Sequence, residues 1–304
     1  LELRDSGIRF TGELPYPDLL MEFRDEEKPD LLKWLDSLRA DAELRNWNAG
    51  VWKDRLPVLF RPQGKITGTL GVDPGLQMRG ELQVSDFAVR PTLYSSPIDN
   101  IHATMNFQGR HVRLHDAGAS VGGGTLSASG TLNLENWSDP RYEFKVSGKN
   151  VPVVRTTDMI LRTDADLTFA LAEGEEAPLL KGDLNLRNST YLINFDPFAP
   201  HIETGPGNRP PYFSVTEEPF AGWRLDLTIT GQNFLRVRSS LFTTELSAGL
   251  RLTRTLRDPL LLGSVRATSG RIRFPGMSMR IESLEAFITP EEPNLLQIEA
   301  DAIG

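Results

Sequence analysis

The chain has no cysteine among its 304 residues. That excludes a disulfide framework, a thiolate metal site and a cysteine nucleophile. An oxidising compartment stays open to it, because a protein can live there by avoiding cysteine. Basic charge is short as well: 33 Lys and Arg stand against 41 Asp and Glu, a formal net charge of −8. Such a balance lacks the basic footprint of generic nucleic-acid binding. No apolar run approaches the ~18 residues of a membrane-spanning helix, and no basic-then-apolar signal segment opens the chain. It begins at Leu1-Glu2-Leu3, already in strand rhythm and without Met. The expectation is a piece of a longer protein, with any targeting segment lying outside it.

Helix signals are nearly missing too. One segment qualifies, about 29–39, where Pro29 and Asp30 suit a first turn and Leu31, Leu32, Leu35 and Leu38 form a stripe. What fills the rest is two-residue alternation, with apolar side chains on one face and polar ones on the other. Trp223, Leu225, Leu227 and Ile229 alternate with Arg224, Asp226, Thr228 and Thr230. The same rhythm runs through Ile101–Phe107, Leu126–Leu134, Tyr142–Val146 and Leu246–Leu252. It recurs at Ile66–Val72, Ala165–Leu171, Ile272–Phe274, Met277–Ile281 and Leu296–Ala300. Alternation of this kind marks antiparallel strands with one wet face. Gln108-Gly109-Arg110, Pro275-Gly276 and Ser147-Gly148-Lys149-Asn150 read as hairpin connectors. Residues 197–211 read as a long Pro/Gly loop.

Roughly fifteen strands spaced ~4.8 Å apart extend about 70 Å. Two solutions cover, or leave uncovered, the apolar face of such a sheet. In a sandwich a second sheet buries it. In an open or gutter-shaped sheet it stays available, and so large an apolar strip marks a binding surface. The alternation fits both.

The residues of the C-terminal third carry a family resemblance. Leu225-Asp226-Leu227-Thr228-Ile229 is followed by Asn233-Phe234-Leu235-Arg236-Val237 and Glu245-Leu246-Ser247-Ala248. Then come Asp258-Pro259, Leu262-Gly263-Ser264-Val265, Gly270-Arg271-Ile272-Arg273-Phe274 and Met279-Arg280-Ile281. The order of these segments resembles the C-terminal region of the TamB family, and Ile98–Leu132 and Gly182–Leu186 look like the repeating unit of TamB and its AsmA-like, bridge-like lipid-transfer relatives. The resemblance runs from about Gln63 to Gly304. It divides the chain into 1–62, preceding strands with the helix, and 63–304, a groove fragment truncated at both ends.

The resemblance implies an all-β fold: an elongated, mostly antiparallel, gutter-like sheet (a β-taco) with an apolar interior and one short helix near the N-terminus. It implies a periplasm-spanning path for phospholipid between inner and outer membranes, linked to outer-membrane protein assembly. The implied partners are phospholipid acyl chains and a TamA-type outer-membrane barrel, met through a part missing here, with an inner-membrane anchor also outside this chain. No catalytic residue, metal or cofactor is called for, because a groove needs only a continuous apolar lining at ~0.8 kcal/mol per buried CH₂. On this reading the lining is Leu126, Ala128, Leu132, Leu134, Tyr142, Phe144, Val146, Trp223, Leu225, Leu227, Ile229, Leu246, Leu250, Leu252, Ile272, Phe274, Met277, Met279 and Ile281. Two rival readings stay open. One is a scaffold that guides outer-membrane protein strands by adding them to a sheet edge. The other is a closed-core surface or adhesin module.

Enzyme signatures do not converge. Gly118-Ala119-Ser120-Val121-Gly122 matches a nucleophile elbow, but Gly123-Gly124-Thr125 leads into another strand rather than a helix. His111 and His115 are four apart on a strand rhythm, with Arg113 between them, a poor neighbour for a metal. Gly122-Gly123-Gly124 lacks the Lys-Ser/Thr of a phosphate loop.

Overall fold

The computed structural model describes residues 2–5, 7–13, 39–48, 63–90, 96–137, 139–193, 214–218, 220–239, 241–267, 269–274, 277–289 and 297–303. Among them there are seventeen strands and no helix. The helix expected over 29–39 lies outside the described residues, apart from Arg39, which opens a strand. The loop expected over 197–211 lies outside them entirely. The strands are assigned to one large, mostly antiparallel sheet. All-β structure therefore follows from the alternation as expected.

The chain divides into two compact units. The first comprises Leu1–Val121 and Ser127–Phe144, the second Gly122–Leu126 and Lys145–Gly304. In the first, β1 (Glu2–Asp5), β2 (Ile8–Glu13), β3 (Arg39–Asn48), β4 (Gln63–Asp73), β5 (Gln77–Val89), β6 (Ile98–Gly109) and β7 (His111–Val121) each pair antiparallel with the next. Gly109, at φ 66°, makes the tight β6–β7 turn that the sequence called for. Strands β8 (Gly124–Asn133) and β9 (Arg141–Arg155) contribute residues to both units.

In the second unit the strands are β10 (Met159–Leu171), β11 (Leu179–Ile193), β12 (Arg224–Ser239), β13 (Phe242–Thr255), β14 (Pro259–Ala267), β15 (Gly270–Phe274), β16 (Met277–Ile288) and β17 (Gln297–Ile303). Here β11 and β12 run parallel, from Leu179↔Arg224 to Ile193↔Ser239. A parallel pair needs a crossover connection instead of a hairpin. Strands β14 and β15 share one position: β13 and β16 each pair with both of them.

One expectation is overturned. Ser147-Gly148-Lys149-Asn150 is not a hairpin but the middle of β9, a single strand of 15 residues. Asn150 takes φ 54°, a left-handed value, without turning the chain back. A Gly-x-Asn cluster signals local backbone freedom, and a left-handed residue inside a strand uses that freedom as readily as a turn does.

The glycines of the repeated Gly-x-Leu element have a steric reason. Gly80 (φ 124°) and Gly182 (φ 139°) sit where a Cβ would collide with the carbonyl oxygens of Thr69 and Asp166 on the neighbouring strands. Each faces a leucine across the ladder, Gly80 opposite Leu70 and Gly182 opposite Leu167. Only glycine allows that approach.

Candidate functional site

The apolar faces are the candidate site, and each unit builds its own. In the first unit the register stacks Val72 beside Met78, Leu82 beside Met105, and Met105 beside Leu114. All of these side chains are half-buried. The only buried apolar residues described in this unit are Ala40, Val89 and Val121. A sheet whose inward side chains stay half-exposed has its apolar face incompletely covered.

The polar face of the same strands is laced by ion pairs. Arg79 reaches Asp41 at 2.8 Å and Asp73 at 2.9 Å, and Arg9 meets Glu43 at 3.7 Å. Hydrogen bonding to Asp73, then to Asp41, raises the Arg79 guanidinium above its ordinary value. These pairs occupy the side of the strands that the alternation marks as wet. His111 is exposed, 3.9 Å from Glu135. His115 is half-buried; its Nε2 accepts from Asn106 Nδ2 at 2.6 Å and its Nδ1 donates to Asp116 at 2.9 Å. Among the described residues no group of three or more His, Asp or Glu is placed to hold a metal.

The second unit is more tightly filled. Leu186, Phe234, Leu235 and Val237 form a buried cluster, with Leu161, Tyr191, Ile229, Phe242, Leu246 and Ala248 packed against it. At the other end of β12, Trp223 stacks on Phe169 with ring centroids 4.3 Å apart and meets the Phe220 edge at 5.0 Å. Ala221, between Phe220 and Trp223 in the chain, is fully buried.

The expected lining residues divide by burial. Leu126, Ala128, Leu132, Leu134, Tyr142, Phe144, Val146, Trp223, Ile229, Leu246, Leu250, Leu252, Ile272 and Met279 are half-buried. Leu225, Leu227 and Ile281 are buried, each 5% exposed. Met277 is 53% exposed, and Phe274 lies in β15 with its side chain outside the description. Cross-strand register joins Leu227 to Leu252, Ile229 to Leu250, and Ile272 to Met279. Burial pushes the Tyr142 phenol above its ordinary value.

Sequence reading missed the β5 side of the face, Met78, Leu82 and Val84. Glycine occupies the intervening inward slot at position 80 and breaks the visible apolar run, although the two-residue period is intact.

A family model of the TamB C-terminal domain matches residues 115–302. The chain belongs to the TamB family. The match begins in β7 and ends in β17, so it takes in the clustered face of the second unit and only the last strands of the first. No curated protein and no solved structure matches the chain. TamB proteins belong to the translocation and assembly module of the Gram-negative envelope. Among the described residues of this TamB chain, no helix is long and apolar enough to cross a membrane.

Proposed function

We propose that the apolar faces of this TamB chain bind phospholipid acyl chains, and that the chain is a section of a periplasmic conduit. On this reading phospholipid moves between inner and outer membranes without covalent chemistry. The conduit is held by an inner-membrane anchor and works with a TamA-type outer-membrane barrel during outer-membrane protein assembly. The observation that supports it is the half-buried row Leu82, Met105 and Leu114 in the first unit. A row of unbranched and branched aliphatic side chains, two strands' width and more, gains ~0.8 kcal/mol for each methylene it removes from water. Methionine adapts its shape to a mobile chain.

The test is direct. Organic extraction and mass spectrometry of the purified chain should recover phospholipid. Leu82→Asp together with Met105→Asp should lower the recovered lipid at least fivefold while the β-sheet circular dichroism is kept. Equal lipid recovery from the doubly charged variant would overturn the proposal. Photocrosslinks from position 105 to nascent barrel strands, with none to lipid, would favour the scaffold reading instead.

A further inference from the structure

Among the described residues, nine other than glycine have positive φ, and seven of them are Asn or Asp: Asn46, Asp86, Asn100, Asp116, Asn150, Asn188 and Asn233. Asn and Asp tolerate the left-handed region because their short polar side chains bond locally. Six of the seven fall where the register shifts. The strand holding the Asx residue carries the excess: Leu44 to Trp47 on β3 faces Gly68 to Ile66 on β4, and Gly231 to Leu235 on β12 faces Ala248 to Leu246 on β13. The same holds at Asp86, Asn100, Asp116 and Asn188. These are β-bulges, which bend and twist the strand that carries them.

The bulges line up across the strands. In the first unit Asn46 and Asp86 flank the same stretch of β4, around Lys65, and Asn100 and Asp116 follow on β6 and β7. In the second unit Asn188 on β11 and Asn233 on β12 are followed by the break between β14 and β15 and by a shift at Ile281/Ser283 on β16. Each unit thus has a transverse line of weakened pairing.

A clasp holds the line at one bulge in each unit. A bulge frees a backbone N–H from the ladder, and that group needs a partner. Asn46 N–H donates to Thr67 Oγ1 at 3.2 Å, and Asn233 N–H donates to Ser247 Oγ at 2.9 Å. Both hydroxyls donate back to the Asn Oδ1, at 3.5 Å and 3.4 Å. Asn150 N–H finds Asp164 Oδ1 at 2.7 Å. The clasps are on the wet side, and the next residue points to the apolar side: Trp47, Phe87, Ile101, Val151 and Phe234 are all half-buried or buried. The Phe87 ring lies over Gly64 and the Phe234 ring over Gly231, where a Cβ would stand 2.7 Å and 2.8 Å from the ring respectively. Side chains crowd on the inside of a bend. Ile229, before the Asn233 bulge, and Val237, after it, belong to one packed group with Phe234.

We propose that the Asx row is a crease that folds each unit's sheet along a line crossing its strands, making the apolar face a trough whose floor includes the large apolar residues following Asn46, Asp86, Asn100 and Asn233. Asn46 and Asn233 are its positioning residues. The inference rests on the lipid-binding reading for its consequence, but its geometry stands apart from that reading.

The experiment uses the whole chain, whose lack of cysteine allows two clean labels. Spin labels at Thr228→Cys and Arg238→Cys, both exposed, bracket the Asn233 bulge on β12. Asn233→Ala should lengthen the label distance by at least one residue rise, ~3 Å, and lower recovered phospholipid at least threefold. Asn233→Gly, which keeps the left-handed backbone, should restore both. An unchanged distance in Asn233→Ala would overturn the crease. A lengthened distance with lipid recovery unchanged would overturn its link to the trough. If the unsubstituted chain holds no phospholipid, the lipid reading fails while the distance pair still decides the crease.

Discussion

Strands β2 to β7 and strands β10 to β17 carry the same alternation and the same kind of bulge, yet their apolar faces are filled differently. In the first set, buried apolar side chains are confined to Ala40, Val89 and Val121. In the second, Leu186, Phe234, Leu235 and Val237 close on one another, and Trp223 stacks on Phe169 at the far end of β12. Alternation therefore decides which side of a sheet is apolar, but not how far that side is closed. Closure depends on the residues after each bulge. Phe234 and Leu235 are consecutive and both buried, so β12 sends two large side chains inward at one level. On β3 the corresponding Trp47 is followed by Asn48, and the face stays open.

A charge on each face breaks this comparison most forcefully. Leu227→Asp puts a carboxylate at a site 5% exposed, and a buried unpaired charge costs more than about 3 kcal/mol. Leu82→Asp, at a half-buried site, should cost about 1 kcal/mol or less. Urea unfolding of the two variants measures the gap. Equal losses would mean that the first unit's face is closed after all.

Ring truncation asks the same question at the bulges. Phe234→Ala removes the centre of the buried cluster and should cost about 3–5 kcal/mol. Phe87→Ala, half-buried over Gly64, should cost roughly half as much, because less apolar area returns to water. A ratio near one would erase the distinction between the units.

Glycine should show no difference between them. Gly80→Ala in the first unit and Gly182→Ala in the second each push a Cβ into a neighbouring carbonyl at positive φ. Both should lose about 2 kcal/mol, since the constraint comes from strand approach and not from face filling. A neutral Gly80→Ala would show that β4 and β5 separate easily.

These contrasts mark what could be read from sequence. The strand set was legible because a two-residue period survives on either side of every bulge: Leu225, Leu227 and Ile229 before Asn233, Leu235 and Val237 after it. The parallel β11–β12 pair was not legible, because parallel and antiparallel partners of a half-buried strand show the same alternation. Nor was the bulge row. Gln232-Asn233-Phe234 and Lys149-Asn150-Val151 are polar-Asx-apolar triplets, and a single strand gives no hint that neighbours bulge at the same level. Ser147–Asn150 shows the cost of reading one strand alone, since turn chemistry there serves a left-handed residue inside a strand. The register of the second unit's apolar side chains was visible, but their burial was not. Side chains assigned to one face by period do share it, as Leu227 and Leu252 do, but period does not separate the buried Leu227 from the exposed Met277.

The smallest expected effect concerns Tyr142, on the half-buried face of the first unit next to Phe144, with ring centroids 6.0 Å apart. Desolvation raises its phenol above the ordinary value. The unfolded chain therefore loses this proton first, near the usual tyrosine value of about 10. The stability linked to Tyr142 is complete below that pH and is lost as pH rises through the higher folded value. Tyr142→Phe removes this alkaline loss and should flatten the urea midpoint above about pH 10 while leaving it unchanged at neutral pH. A fully wetted face would give Tyr142 the titration of an exposed tyrosine, and the variant would then unfold in parallel with the parent at every pH. Tyrosinate absorbance followed during the same titration separates those outcomes, because the parent should show one late-titrating phenol that the variant lacks.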